Sequence, residues 1–190
     1  MEWRKTILGD QRRTARAVQL GTALAAQPAA SLPTQTGCRG DLKAAYRLLS
    51  EPDVTHRALS QPHWRATPEQ AASPGDRVVL FVEDRSQLDF TTHNQTRGLG
   101  PIGDTRGKGL MRHSCLAVRP GADQAEVIGL AAQQVWCRRP EVYRGHESRA
   151  RRAKRRTESD AWGEVVEEIG EVPSGVSGVS VGDRASDVFS

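Results

Sequence analysis

Two aspartates stand just after apolar stretches that have the composition of β-strands. Asp84 follows the apolar run at residues 78–82, and Asp183 follows a valine-rich stretch at residues 176–181. If these strands lie side by side and parallel, both carboxylates reach one edge of the sheet, where they can share Mg²⁺. Two-metal sites of this kind prepare the attacking and leaving oxygens of a phosphodiester. Spacing alone also fits ordinary turn residues at strand ends, and by itself it favours that simpler interpretation.

The elements that must position these aspartates form an α/β pattern in the second part of the chain. The unbroken apolar run at residues 78–82 predicts a central strand buried on both faces. Residues 113–118 and 127–136 predict two further strands, with the sequence PGAD at 120–123 as the turn of a hairpin. Apolar residues at helical spacing then predict an amphipathic helix that packs on the sheet before the last strand: Trp162, Val165, Val166 and Ile169.

The first part of the chain has a helical pattern. Asp10 is predicted to cap a helix over residues 11–26, and Pro28 follows its end. We expect the following residues to share one face of this helix: Ala15, Val18, Thr22 and Ala25.

Two more helices are predicted before the α/β part. The second has Asp41 as its N-cap and ends before Pro52, and the third runs from Thr55 to about residue 66. The Pro, Ser and Gly content of residues 67–76 is typical of a linker. The sequence therefore predicts a helical domain at residues 1–66, a linker at 67–76 and a second domain at 77–190.

Charge and cysteine content narrow the class of protein. The formal net charge of the 190 residues is +4, and Arg and Lys are concentrated in patches that suit a polyanion such as nucleic acid. No apolar run approaches the roughly 18 residues that span a bilayer, so we expect a cytoplasmic protein without a membrane partner. Cys38, Cys115 and Cys137 lack the spacing of a zinc module and are expected to be reduced and mostly buried.

Basic residues in three places are candidates for contact with DNA phosphates or base edges. A solvated helix face is the alternative for the two helical groups, and a flexible solvated loop is the alternative for the third. The candidates are Arg12, Arg13 and Arg16 on the first helix, Lys43 and Arg47 on the second, and the run Arg149, Arg151, Arg152, Lys154, Arg155 and Arg156.

The chain resembles the amino-terminal part of bacterial cut-and-paste transposases of the DDE class, in the insertion-sequence-four family. The resemblance covers nearly the whole chain and depends on the order of short segments, each of which is weak alone. These segments are LGDQRRTARAVQL, DLKAAYRLLSEPDVT, VEDRSQLDF, GLGPIG, RHSCLAV, GLAAQQVW, TESDAW and VGDRASD.

The resemblance implies a fold and an activity. It implies a small helical domain that binds double-stranded DNA at transposon ends, followed by an incomplete ribonuclease H-like mixed sheet. It places the first two catalytic and metal-binding aspartates of the family on Asp84 and Asp183. The implied reaction is DNA strand cleavage and strand transfer with Mg²⁺, or Mn²⁺, as cofactor.

The sequence also departs from the family pattern. Arg85 stands where the family usually has a small hydroxyl residue, and its cation would compete with a metal for Asp84 or pair with DNA phosphate. Ala185 and Ser186 replace the middle of the second motif. His113 matches a family position and is expected to be a hydrogen-bonded structural imidazole rather than a metal ligand.

The third catalytic residue of the family is a downstream glutamate, and this sequence ends before the corresponding position. We therefore expect the chain alone to be inactive, with a marginally stable or aggregation-prone second domain. Three hypotheses stay open here: a transposase that takes the glutamate from another chain, an inactive DNA-binding or inhibitory product, and a remnant of a disrupted gene.

Overall fold

The computed structural model describes residues 2–71, 78–104, 106–138, 158–172, 174–183 and 186. It divides into two compact units, Met1–Ala66 and Thr67–Ser190, which we describe separately. The first unit is helical and the second contains a mixed sheet, so the chain has a mixed α/β structure. The basic run from Arg149 to Arg156 lies outside the described residues.

The first unit contains three complete helices and the start of a fourth. After a 3-10 turn at Glu2–Lys5 come α1 (Gln11–Ala26), α2 (Leu32–Thr36), α3 (Arg39–Leu49) and α4 (His56–Ala71). The predicted cap of α1 is confirmed, because Asp10 has extended backbone angles and its Oδ1 accepts a hydrogen bond of 2.7 Å from the amide of Arg12. The short helix α2 was not predicted.

The buried face of α1 differs from the predicted one. Ala17, Leu20 and Gly21 are buried, whereas the predicted set of Ala15, Val18, Thr22 and Ala25 is exposed or only half-buried. Gly21 explains the difference, since a Cβ at this position would lie 2.4 Å from Cε3 of Trp3. The absence of a side chain therefore lets an indole ring lie against this face.

The N-cap of α3 is also not the predicted residue. The helix begins three residues earlier than expected, with Cys38 as its cap, and Asp41 lies in the first turn. The Sγ atom of Cys38 accepts a hydrogen bond of 3.4 Å from the amide of Asp41. A thiol therefore satisfies an amide that a hydroxyl or carboxylate usually satisfies at helix starts.

Helix α4 corrects the predicted linker. The helix continues through residues 67–71, which were assigned to the linker together with residues 72–76. Residues 72–77 are outside the described part of the chain. The third predicted helix therefore extends five residues further than expected, into the segment assigned to the linker.

The second unit is built on a five-stranded sheet. Its strands are β1 (Val78–Asp89), β2 (Gly100–Ile102), β3 (Gly107–Arg119), β4 (Glu126–Trp136) and β5 (Ser177–Val181), with α5 (Asp160–Ile169) before the last strand. The order is β2-β3-β1-β5, and β4 also pairs with β3. The predicted hairpin is confirmed by the antiparallel pairing of β3 with β4, from Arg119 opposite Glu126 to Met111 opposite Trp136.

Strand β1 is central but longer than predicted. It pairs antiparallel with β3 and parallel with β5, as the metal-site hypothesis requires. Asp84 lies inside β1 rather than after its end, although the ladder between β1 and β5 stops at the pair Val82 and Val181. The expectation that both faces are buried is wrong, because buried and less buried residues alternate along the strand.

The core of the second unit lies on one face of the sheet. Val79 and Phe81 of β1 pack with Cys115 and Ala117 of β3 and with Val165 of α5. The predicted packing of α5 on the sheet is therefore confirmed, although Val166 of the predicted apolar face is exposed. The opposite face of the sheet carries Leu80 and Val82 and is less covered.

The cysteine expectation holds only in part. All three thiols are free, and burial raises the pKa of Cys115 to about 12. Cys38 and Cys137 are exposed, so the expectation of mostly buried thiols is wrong.

Candidate functional sites

The exposed face of α3 carries a row of cations in the first unit. Arg39, Lys43 and Arg47 are four residues apart and exposed, and Tyr46 lies beside them with 53% exposure. At 3.6 residues per turn these four side chains fall within an arc of about 100°, opposite buried Leu48. Among the residues that the structure describes, none of the three cations forms an ion pair.

The arginines of α1 have different surroundings. The side chain of Arg12 is 94% exposed and lies 3.5 Å from the carboxylate of Asp10. Arg13 is paired with Glu51 at 2.6 Å and with Asp53 at 3.3 Å, and Arg16 is paired with Asp41 at 2.8 Å. Arg13 and Arg16 thus already have carboxylate partners that connect α1 with α3 and the segment after it.

Asp41 shows the electrostatic effect of these contacts. The hydrogen bonds from the Cys38 thiol and from Arg16 hold the pKa of the Asp41 carboxyl below its usual value. The carboxylate is therefore ionised at neutral pH. Arg16 and Asp41 act as a charged connection between α1 and the first turn of α3.

In the second unit, Asp84 lies in β1, and Asp183 lies two residues after the end of the neighbouring strand β5. The parallel ladder ends at the pair of Val82 with Val181, so each aspartate follows the last ladder pair by two residues. Because alternate residues of a strand share a face, Asp84 belongs to the sheet face opposite α5. Asp84 and Asp183 are both exposed.

Polar side chains of β1, β3 and β4 form a polar surface around Asp84 on this face of the sheet. Ser86 donates a hydrogen bond of 3.0 Å to Oδ2 of Asp84, and Nη2 of Arg112 lies 3.4 Å from the Ser86 hydroxyl. Opposite Asp84 on β3 is Ser114, which accepts a hydrogen bond of 2.8 Å from Gln133. The sheet face is therefore polar around Asp84 and apolar toward Leu80.

The other face of β1 carries a buried pair that the sequence analysis did not identify. Glu83 and His113 are both buried, and Nε2 of His113 lies 2.9 Å from Oε2 of Glu83. Trp162 of α5 contacts the imidazole edge-on, with ring centroids 4.4 Å apart. The expectation of a hydrogen-bonded structural imidazole at His113 is confirmed. The alternation that begins with Val79 and Phe81 is the sequence signal that could have predicted Glu83 on the core side of β1.

Arg85 is also held on the α5 side of the sheet. Its Nη1 lies 2.9 Å from Oε2 of Glu158, and Arg138 binds the same carboxylate through Nη2 at 2.8 Å and through Nε. The hydrogen bonds from Arg138, followed by the charges of Arg138 and Arg85, lower the pKa of Glu158. Arg85 therefore has a carboxylate partner other than its neighbour Asp84.

The donor set of the Asp84 and Asp183 pair fits Mg²⁺ in its chemistry. Two carboxylates that each follow the last pair of the β1–β5 ladder supply the oxygen ligands that Mg²⁺ takes from proteins, and water and phosphate would complete its shell. Among the described residues, no group of three or more His, Cys, Asp or Glu side chains is arranged to hold a metal. The pair would therefore be a partial ligand set.

Comparison with known families gives a match to a DNA-binding family over the helical unit. The family model described as transposase DNA-binding matches residues 1–54, the segment that contains α1, α2 and α3. This match supports a transposase with DNA as its partner. No helix within the described ranges is long and apolar enough to cross a membrane.

Proposed function

We propose that this protein is a DDE transposase of the insertion-sequence-four family that binds double-stranded DNA at transposon ends through α3. The observation that carries the proposal is the exposed row of Arg39, Lys43 and Arg47 inside the segment matched by the DNA-binding family. Cations without carboxylate partners are available to neutralise phosphates, whereas Arg13 and Arg16 already have partners.

The dimensions of α3 suit the major groove. An α-helix with its side chains is about 10–12 Å across, and the major groove of B-DNA is about 12 Å wide. Tyr46 lies between the cations and adds a flat, amphipathic surface for sugar or base contact. We infer that α3 is the recognition helix and that Arg12 supplies a phosphate contact beside it. The run from Arg149 to Arg156 remains a predicted second basic contact.

The chemistry we propose belongs to Asp84 and Asp183. They would hold Mg²⁺ or Mn²⁺ on the open face of a ribonuclease H-like sheet, as two of the three acids that the family uses. When bound, the metal polarises phosphate oxygens and stabilises charge on the attacking and leaving groups during strand cleavage and strand transfer. The parallel pairing of β1 with β5 and the equal distance of the two aspartates from the last ladder pair support this assignment.

A binding experiment tests the role of α3. The probes are short labelled duplexes tiled across the DNA that flanks the gene, with a scrambled duplex as competitor. We expect the wild-type chain to prefer one flanking duplex, and Lys43→Ala and Arg47→Ala each to weaken binding about tenfold. Arg65→Ala removes the same charge from an exposed position of α4 and is the matched control. Equal losses in all three variants would contradict α3 as the recognition helix.

The same complexes test the chemistry. Because the aspartate pair is a partial ligand set, we expect this chain alone to retard the preferred duplex in Mg²⁺ or Mn²⁺ without nicking it, as a DNA-binding product without catalytic activity. Nicking that is lost in Asp84→Ala and in Asp183→Ala would overturn this expectation and support the two aspartates as metal ligands. Nicking that survives in Asp84→Ala would refute the assignment of the metal ligands.

A further inference from the structure

Arg112 lies on the same sheet face as Asp84 and is not used by the proposed metal site. It stands opposite Ser86 in the β1–β3 register, two pairs beyond Asp84 opposite Ser114. Since alternate residues of a strand share a face, Arg112, Ser114, Ser86 and Asp84 form one polar surface. Cationic and acidic groups are therefore neighbours at this position.

The guanidinium of Arg112 has few partners for its five donors. Its one described contact is the long hydrogen bond of 3.4 Å from Nη2 to the Ser86 hydroxyl. The Nε atom is buried and has no hydrogen-bond partner among the described residues. Arg112 forms no ion pair within that part of the chain, in contrast to Arg85, Arg119 and Arg138. A half-buried cation with unused donors is costly to maintain without a ligand.

We infer that Arg112 binds a backbone phosphate of the DNA beside the Asp84 and Asp183 pair. This inference rests on the proposed function. A planar guanidinium with free donors matches the paired oxygens of a phosphodiester, which it can bind through two parallel hydrogen bonds. A phosphate at this position satisfies the Arg112 donors. Arg112 also counters the repulsion between the two carboxylates and the approaching DNA.

The position of Arg112 gives it a positioning role rather than a share in the reaction. Ser86 connects Arg112 to Asp84, because the hydroxyl donates to the carboxylate and lies within reach of the guanidinium. A phosphate held by Arg112 would therefore have a fixed distance from Asp84 along β1 and β3. The neighbouring phosphodiester would be presented to the two aspartates in one register.

Single-phosphate neutralisation tests this inference. The preferred duplex is prepared as a series in which each member carries one uncharged methylphosphonate linkage, and the affinity of the full-length chain is measured for every member. We expect one linkage, other than those sensed by α3, to weaken wild-type binding about tenfold. Arg112→Gln should bind the unmodified duplex about tenfold less tightly and lose its sensitivity at that linkage. The salt dependence of DNA binding by Arg112→Gln should correspond to about one phosphate contact fewer than that of the wild type.

The controls separate this inference from the proposed function. Arg119→Gln removes the same charge from the other end of β3 and should keep the wild-type linkage pattern. A wild-type pattern in Arg112→Gln overturns the inference while the proposed function stands, whereas absence of wild-type binding to every duplex overturns both. If Arg112→Gln does not fold, the linkage series is measured with Arg112→Lys instead. An ammonium keeps the charge but cannot form the two parallel hydrogen bonds of a guanidinium. A reduced sensitivity at that one linkage supports the inference, and an unchanged one overturns it.

Discussion

Glu158 shows how one carboxylate can hold several parts of the second unit together. It stands two residues before the start of α5 and accepts hydrogen bonds from Arg138, after β4, and from Arg85, in β1. All three side chains are about one-third exposed or less. We expect the cluster to stabilise the fold by only about 1 kcal/mol, because solvent screens charges at this exposure. Its structural role is to hold the start of α5 beside β1.

The depressed pKa of Glu158 predicts a dependence of stability on pH. A carboxyl whose pKa is lower in the folded state stabilises the fold fully above its unfolded pKa, which is about 4.3. This stabilisation is lost as the pH falls through the folded pKa. We therefore expect the free energy of unfolding of the wild type to fall more steeply below about pH 5 than that of Glu158→Gln. Denaturant unfolding at a series of pH values measures the difference.

Glu126 supplies the control for that prediction. It is paired with Arg119 on the β3–β4 hairpin, but its side chain is 67% exposed. Glu126→Gln should therefore follow the wild-type pH profile closely. An identical profile for wild type and Glu158→Gln would show that the contact of Glu158 with Arg138 and Arg85 does not persist in solution.

At the scale of elements, the helices and strands that depend on local sequence signals were predicted well. Helix α1 has the predicted bounds because Asp10 is a good N-cap and Pro28 prevents continuation. The hairpin of β3 and β4 follows from two apolar runs separated by a Pro-Gly turn. These features depend on neighbours in sequence, which the sequence displays directly.

Features that depend on distant partners were predicted less well. The cap of α3 is Cys38 rather than Asp41, and the Asp41 carboxylate in the first turn pairs with Arg16 of another helix. The predicted face of α1 was wrong because the buried face is set by contacts with residues outside the helix, including Trp3 against Gly21. The same limit applies to the candidate site. The two aspartates were chosen by resemblance, whereas the contribution of Arg112 follows only from the register of β1 with β3.

At the scale of the whole molecule, the two units have separate apolar cores and different functional surfaces. The first core contains Leu8, Leu20 and Leu48, and the second lies between the sheet and α5. The candidate DNA contacts of α3 belong to the first unit, and the carboxylate pair belongs to the second. The two candidate surfaces can therefore be tested separately, by substitutions that leave the other core unchanged.

The open face of the sheet gives the last prediction. On the Leu80 side of Asp84, this face carries the exposed apolar side chains Val78, Leu116, Val179 and Val181. Beyond β5, no further strand pairs with the sheet among the described residues. Apolar patches and unpaired strand edges of this kind promote association between molecules. We therefore expect the full-length chain to self-associate as its concentration rises.

The double substitution Val179→Thr and Val181→Thr tests this expectation. Threonine keeps the β-propensity of valine and adds a hydroxyl on the exposed face, so stability should change by no more than about 0.5 kcal/mol per site. Light scattering over a concentration series should show weaker association than in the wild type. Val165→Thr is the control for the same substitution at a buried position. Val165 is fully buried between α5 and the sheet, so this substitution should lower the stability of the fold by about 1–3 kcal/mol. Association that is unchanged in the double variant would show that another surface is responsible, since the open face of β5 would then have been made polar without effect.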